Sequence, residues 1–153
     1  MATLDPARAL ARRALGWGAA APLVDADDLG RDLVLVPRDG SGRRDLACVE
    51  GAVNLGQDLA LALTTGLGTD PFNADFGFDG IAAMVEPQPA TLTRERLRAS
   101  VAKTVARDPR VRAVTTVDVS EGSAGIERVL RLRVVVDTIT SDVGSLATNL
   151  VLV

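Results

Sequence analysis

The chain has 153 residues, enough for one domain with a real core, and its apolar share of 47% is that of a globular protein. It has no His and a single Cys, Cys48, which removes the commonest general base, the commonest metal ligand, a disulfide framework and a thiolate metal cluster. A net charge of −3 argues against general nucleic-acid affinity, and no segment reaches the roughly 20 apolar residues of a membrane span.

In chain order, Asp5-Pro6 reads as a helix start, with Asp at the N-cap and Pro at the first helical position, and the helix runs to about Leu15. Gly16 to Gly30 reads as a loop or arm. Asp32 to Val36 and Leu46 to Val49 read as two strands of a hairpin around the turn Arg38-Asp39-Gly40-Ser41-Gly42. Glu50 to Thr65 is helical, with Leu55, Leu59, Ala62 and Leu63 on one buried stripe. Gly66-Leu67-Gly68 ends it. The following loop holds Phe72, Phe76 and Phe78, which are expected to form a small satellite core, with a partner-facing patch as the alternative. A short helix near Gly80 to Val85 and the stiff connector Glu86-Pro87-Gln88-Pro89 come next.

Thr91 to Ala106 carries the clearest helical pattern, with Leu97, Val101 and Val105 at intervals of four. Val111 to Val119 alternates loosely as a strand, and Ser120 to Gly125 reads as a turn. Ile126 to Val136 alternates cleanly: Leu130, Leu132, Val134 and Val136 face one way, Arg131 and Arg133 the other. After a loop over 138–145, Leu146, Thr148, Leu150 and Leu152 alternate with Ala147, Asn149, Val151 and Val153. This strand needs a pairing partner, in its own sheet or in another chain. The pattern predicts an α+β fold, a mostly antiparallel sheet with two main helices. It divides into an N-terminal helix and arm over 1–29 and a main domain over 30–153.

Between the last helix and the strand after it stands Arg107-Asp108-Pro109-Arg110-Val111. Proline cannot continue the helix, so a carboxylate and two guanidinium groups sit on a stiff corner. Such a corner suits docking better than catalysis. The plain alternative is a solvated pair worth about 0–1 kcal/mol. From Arg94 to Arg112 seven positive residues stand against Glu95 and Asp108, which reads as a solvated face or as a surface for an acidic partner. No aromatic residues interleave them as a nucleic-acid platform would require.

The order of elements resembles the gene 25-like, or gene W-like, baseplate wedge family of contractile phage tails and contractile injection systems. The resemblance covers roughly residues 30–153. It rests on Val53-Asn54-Leu55-Gly56-Gln57-Asp58-Leu59, on Leu63-Thr64-Thr65-Gly66-Leu67-Gly68, on Pro71-Phe72 and Phe76-Gly77, and on the corner Asp108-Pro109-Arg110. The family's corner has Glu where this chain has Asp108, and the family's charged residues after the Thr are replaced by Gly66-Leu67-Gly68.

The resemblance implies a structural inner-baseplate component with no cofactor, present in several copies, six-fold, within the assembly. Its partners would be the wedge subunits, which bundle around the central spike or hub, and the sheath protein. Arg110 would anchor to the wedge bundle, with Asp108 orienting or pairing with it and Pro109 stiffening the corner, and Arg110→Ala would spare the fold. The C-terminal sheet would resemble the handshake fold of the sheath. Leu146, Thr148, Leu150 and Leu152 would then join the first sheath ring by strand exchange. Assembly would take place in the bacterial cytoplasm, before incorporation into a tail or injection particle.

Two other classes compete. The family has carried a lysozyme label, and glycoside hydrolysis needs two carboxylates about 5–9.5 Å apart across a sugar. Glu50, Glu86, Asp108 and Asp137 are available, but one Trp and no Tyr make a poor sugar platform. The third reading is an interaction module of an unrelated complex.

Overall fold

Leu and Val at helical spacing on two helices, and at alternating spacing on one long strand, give three apolar faces that must be buried together. A computed structural model describes residues 5–22, 32–38, 40, 42–81, 84, 86–124, 127–140 and 146–152 of the chain. Its helices are α1 (Pro6–Leu15), α2 (Ala52–Thr64) and α3 (Ala90–Val105). Its strands are β1 (Trp17–Ala19), β2 (Leu35–Pro37), β3 (Arg44–Leu46), β4 (Cys48–Glu50), β5 (Val111–Ala124), β6 (Glu127–Thr138) and β7 (Leu146–Leu152). The fold is α+β, and the ladders between these strands are antiparallel, while an isolated bridge from Gly66 to Phe78 is parallel.

β5, β6 and β7 form a three-stranded sheet in that order. α3 lies beside β5 and α2 beside β7. Leu132, Val134 and Val136 of β6 meet Leu55, Leu59 and Leu63 of α2 and Leu97, Val101 and Val105 of α3 in one cluster. Arg131 and Arg133 stand exposed on the opposite face. The buried stripes therefore fall where the spacing puts them, except that Ala62 is only half-buried while Ala60 and Asn54 are buried.

The loose alternation of β5 has a definite cause. Its ladder with β6 shifts register between Val111 and Ala113, and again between Val114 and Thr116. An extra residue at each shift lets valines spaced by three turn to the same side. Val114, Val117 and Val119 then oppose Val136, Val134 and Leu132. Beyond them β5 continues through Ser120 to Ala124, where the sequence had suggested a turn, because the ladder with Arg131 to Glu127 is unbroken. Gly125 and Ile126, between the two strands, lie outside the described residues.

The N-terminal third departs most from expectation. Trp17 to Ala19 is a strand rather than part of a loop, paired with Cys48 to Glu50. The expected hairpin exists as β2 and β3, pairing Leu35 with Leu46 and Pro37 with Arg44, although Asp39 and Ser41 of its turn lie outside the described residues. The expected second strand breaks at Ala47. Its N–H donates to the Val34 carbonyl at 2.8 Å, and its carbonyl accepts from Ala20 N at 2.7 Å, so one residue joins the two small sheets.

α1 starts as expected, with Asp5 accepting from Ala7 N at 3.3 Å and Pro6 in the first turn. Its Leu15 is buried in the same cluster as α2, α3 and β6. The boundary drawn at residues 29 and 30 lies outside the described residues, as do Ala82, Ala83 and Val85 of the short helix, 141–145 of the last loop, and Val153.

The three Phe do not form a satellite core. Phe78 is 1% exposed and belongs to the main cluster, Phe76 is half-buried, and Phe72 is 99% exposed. Phe78 returns to the end of α2, its N–H donating to the Thr65 carbonyl at 2.8 Å and its carbonyl accepting from Leu67 N at 3.1 Å. Gly77 makes that return with φ +112°, and a side chain there would meet the Thr65 carbonyl at 2.7 Å. Phe72 points away because its backbone is turned by Asp70, whose Oδ1 accepts from Phe72 N at 2.9 Å.

Candidate functional site

The corner after α3 is a turn in which Val111 N donates to the Asp108 carbonyl at 3.0 Å, with Pro109 exposed between them. Asp108 Oδ1 accepts from Arg110 N and Arg110 Nε, each at 2.9 Å, and Oδ2 accepts from Nη2 at 2.6 Å. A turn two residues long therefore holds the guanidinium as a two-point fork. Arg110 Nη1 reaches out of the turn to Asp58 Oδ2 of α2 at 2.8 Å and to the Leu15 carbonyl at 3.0 Å.

Four of the five N–H groups of Arg110 thus meet acceptors inside the chain. The resemblance assigned Arg110 to a partner. Its described bonds are internal, and they tie together the end of α1, the middle of α2 and the corner after α3. The side chain keeps 23% exposure, and one N–H remains for an outside acceptor.

The electrostatics follow the geometry. Burial pushes the Asp108 carboxyl up, but the side-chain and backbone hydrogen bonds from Arg110, with its charge, outweigh burial and hold the group below the usual carboxylate range. Hydrogen bonding to Asp108 raises Arg110 above its ordinary value against the opposing effect of burial, and Asp58 adds to the rise. The Leu15 carbonyl closes the last turn of α1, where a cation is favoured by the helix dipole.

Three residues of α2 complete this cluster, and nothing in the sequence reading had singled them out for it. Asn54 Nδ2 donates to the same Leu15 carbonyl at 3.3 Å and to Asp58 Oδ2 at 3.0 Å. Gln57 Nε2 donates to the Ala19 carbonyl at 2.9 Å, and its Oε1 accepts from Ala21 N at 2.8 Å. The signal was present: in a helix of Ala, Leu and Val, the polar residues 54, 57 and 58 recur at intervals of three and four, on one face.

Beside the corner lies an open groove of about 310 Å³. Leu59, Leu61, Ala62, Phe76 and Gly77 line its apolar side, and Asp58, Asp75, Arg107, Asp108 and Arg110 its charged side. Arg107 Nη1 donates to the Asp75 carbonyl at 3.2 Å, which holds the Phe76 loop against the end of α3. A second, more open groove on α3 is edged by Arg96, Ser100 and Lys103, with Asp79 bonded to both Ser100 and Lys103 and Glu86 to Arg96. The basic face of α3 is therefore partly neutralised by its own chain.

The other expected site is the last strand. Leu146, Thr148, Leu150 and Leu152 lie on β7, paired with Val136, Val134, Leu132 and Leu130 of β6. β7 is thus an outer strand, and among the described residues no strand pairs with its far edge. The same holds for the far edge of β5. Both expected sites adjoin α2: Arg110 of the corner is bonded to Asp58, and β7, paired with β6, lies beside the same helix. Among the described residues, no group of three His, Cys, Asp or Glu is placed to hold a metal ion, and no helix is long and apolar enough to cross a membrane.

No protein-family model and no curated protein matches the sequence. Among solved structures, a protein from Geobacter sulfurreducens assigned as a tail lysozyme is similar in fold. Its TM-score is 0.53 at 19% identity, over 63% of this chain and 85% of that one. The likeness establishes a shared fold.

Proposed function

We propose that this chain is a tail-related structural protein, an inner-baseplate component that joins wedge subunits to the first sheath ring of a contractile tail or injection system. The observation that carries the reading is the three-stranded antiparallel sheet whose outer edge on β7 is unpaired among the described residues. Such an edge offers a row of unpaired backbone groups, and a strand from a partner satisfies them. The fold shared with a protein assigned as a tail lysozyme supports the same setting. In this reading several copies assemble in the bacterial cytoplasm around a spike or hub, and Asp108, Pro109 and Arg110 face the wedge bundle across the apolar groove beside them.

The role is structural rather than enzymatic. A glycosidase acid must hold its proton near neutral pH, so its pKa is raised. Asp108, the most confined carboxylate of the corner, is shifted the other way by Arg110. A lytic band on a peptidoglycan zymogram, lost in Asp108→Asn or Asp58→Asn, would overturn this part.

Strand addition is tested with two adjacent prolines. Along an antiparallel strand, successive N–H groups point to opposite edges. Of Thr148→Pro and Asn149→Pro, one therefore breaks the ladder with β6, and the other alters only the outer edge. The expected result is one variant that melts early and one that keeps the wild-type melting temperature but recovers no sheath protein in a pull-down. Recovery of sheath protein by a stably folded outer-edge variant would refute strand addition.

A further inference from the structure

Residues 16–21 are recognised almost wholly through their backbone. β4 pairs with Trp17, Gly18 and Ala19. Gly51 N donates to the Gly16 carbonyl at 2.9 Å, and Ala20 N donates to the Ala47 carbonyl. On the other side Gln57 grips the Ala19 carbonyl and Ala21 N together, as a neighbouring strand would. The cleft between β4 and α2 is tight at Gly18, where a Cβ would lie 2.9 Å from Asn54 Oδ1. Arg110 and Asn54 close it on the Leu15 carbonyl. This is a built receptor for an extended Gly/Ala segment, and its occupant is part of the same sequence.

We infer that the cleft also accepts residues 16–21 of a second copy, so that α1 and β1 exchange between neighbouring chains. Every bond just named is available to either occupant, so exchange costs nothing in contacts. The connecting length favours it. The Ala20 carbonyl accepts from Val34 N at 3.2 Å, so residues 21–33 leave one point and return to it. Adjacent strands need only about 2–5 connecting residues. A stretch of this length can span on the order of 40 Å, beyond the radius of gyration of about 15 Å for a domain of this size. In an assembly of several copies, high local concentration favours the exchanged form. The inference stands whether or not the chain belongs to a baseplate.

Register supplies the test, because Ala19 lies opposite Cys48, the only cysteine. One tagged copy carries Ala19→Cys with Cys48→Ala, and a differently tagged copy keeps native Cys48. The two are co-expressed, purified by both tags in succession and oxidised. Exchange is expected to give a mixed-tag disulfide species at two-chain mass or longer on a non-reducing gel, lost when the first copy also carries Gly18→Val. Absence of the mixed species overturns the inference, and so does its persistence with Gly18→Val. A single chain carrying Ala19→Cys beside native Cys48 reads the alternative directly. Crosslinking only within one chain, across the full concentration range, would also overturn the exchange.

Discussion

Arg110 Nη1 donates to the carbonyl of Leu15 at 3.0 Å across 95 positions of sequence, and in doing so closes the end of α1 with a side chain from the corner after α3. The same nitrogen holds Asp58 of α2. Arg110→Ala therefore takes a charged donor from Asp108, Asp58 and the Leu15 carbonyl, leaving only Asn54 Nδ2 on the last two and the backbone N–H of residue 110 on Asp108. The expected loss is about 2–3 kcal/mol, below the cost of breaking a fully buried pair because the side chain is partly exposed. Arg110→Lys keeps the charge but not the fork, and is expected to recover less than half of it. Urea unfolding of the three proteins checks the order. A wild-type midpoint for Arg110→Ala would return the residue to a purely partner-directed role, as the family resemblance had implied.

Acid stability follows from Asp108. Its folded-state pKa is lowered, while an Asp in an unfolded chain titrates near about 3.9. Its contribution is thus complete above that value and is lost as pH falls below it, through the lowered folded-state value. Glu50 acts in the same sense: the Arg8 hydrogen bond lowers it, burial opposes, and the charges of Arg8 and Arg12 add to the lowering. Unfolding midpoints are expected to be level from neutral pH to about pH 5 and to drop below about pH 4. Asp108→Asn is expected to be less stable at neutral pH and to show a shallower drop. An equally steep drop in the variant would rule out Asp108 as a source of the acid sensitivity.

The aromatic loop offers a comparison within six residues of sequence. Phe78→Ala removes a ring from the main core and is expected to cost about 3–5 kcal/mol. Phe72→Ala changes an exposed ring and is expected to stay within about 0.5 kcal/mol. Thermal unfolding of both variants checks the split. Equal losses would mean that the loop packs as one unit.

These two phenylalanines show what was legible in the sequence and what was not. The helices, β6 and β7 were readable because Leu97, Val101, Leu132 and Val134 repeat with the period of their elements. The Phe residues have no such period, and a turn closed by Phe76 N on the Asn73 carbonyl separates Phe72 from the other two. β1 was hidden because Gly18 and Ala19 carry no apolar pattern; it is held by ladder bonds and by Gln57, which only the fold brings near. At the corner, Asp108 and Arg110 were recognisable as a pair, whereas Asp58, Asn54 and the Leu15 carbonyl were not. Their partnership depends on how α1 and α2 pack, and local sequence does not encode that.

The two register shifts in β5 bear on which chain-length changes the protein tolerates. In the ladder, Val114 opposes Val136, Thr116 opposes Val135 and Val117 opposes Val134, so Thr115 is the surplus residue. Excising Thr115 would remove the second shift and leave Val114, Val117 and Val119 opposite their present neighbours, at the loss of one 3.3 Å hydrogen bond to Asp137. Excising Asp118, in the regular half of the strand, would turn Val119, buried opposite Leu132, to the other face. A cooperative melt near the wild-type temperature is expected for the first deletion and a clearly lower melting temperature for the second. One half of β5 is thus open to insertion and loss over evolutionary time, and the other is locked in phase.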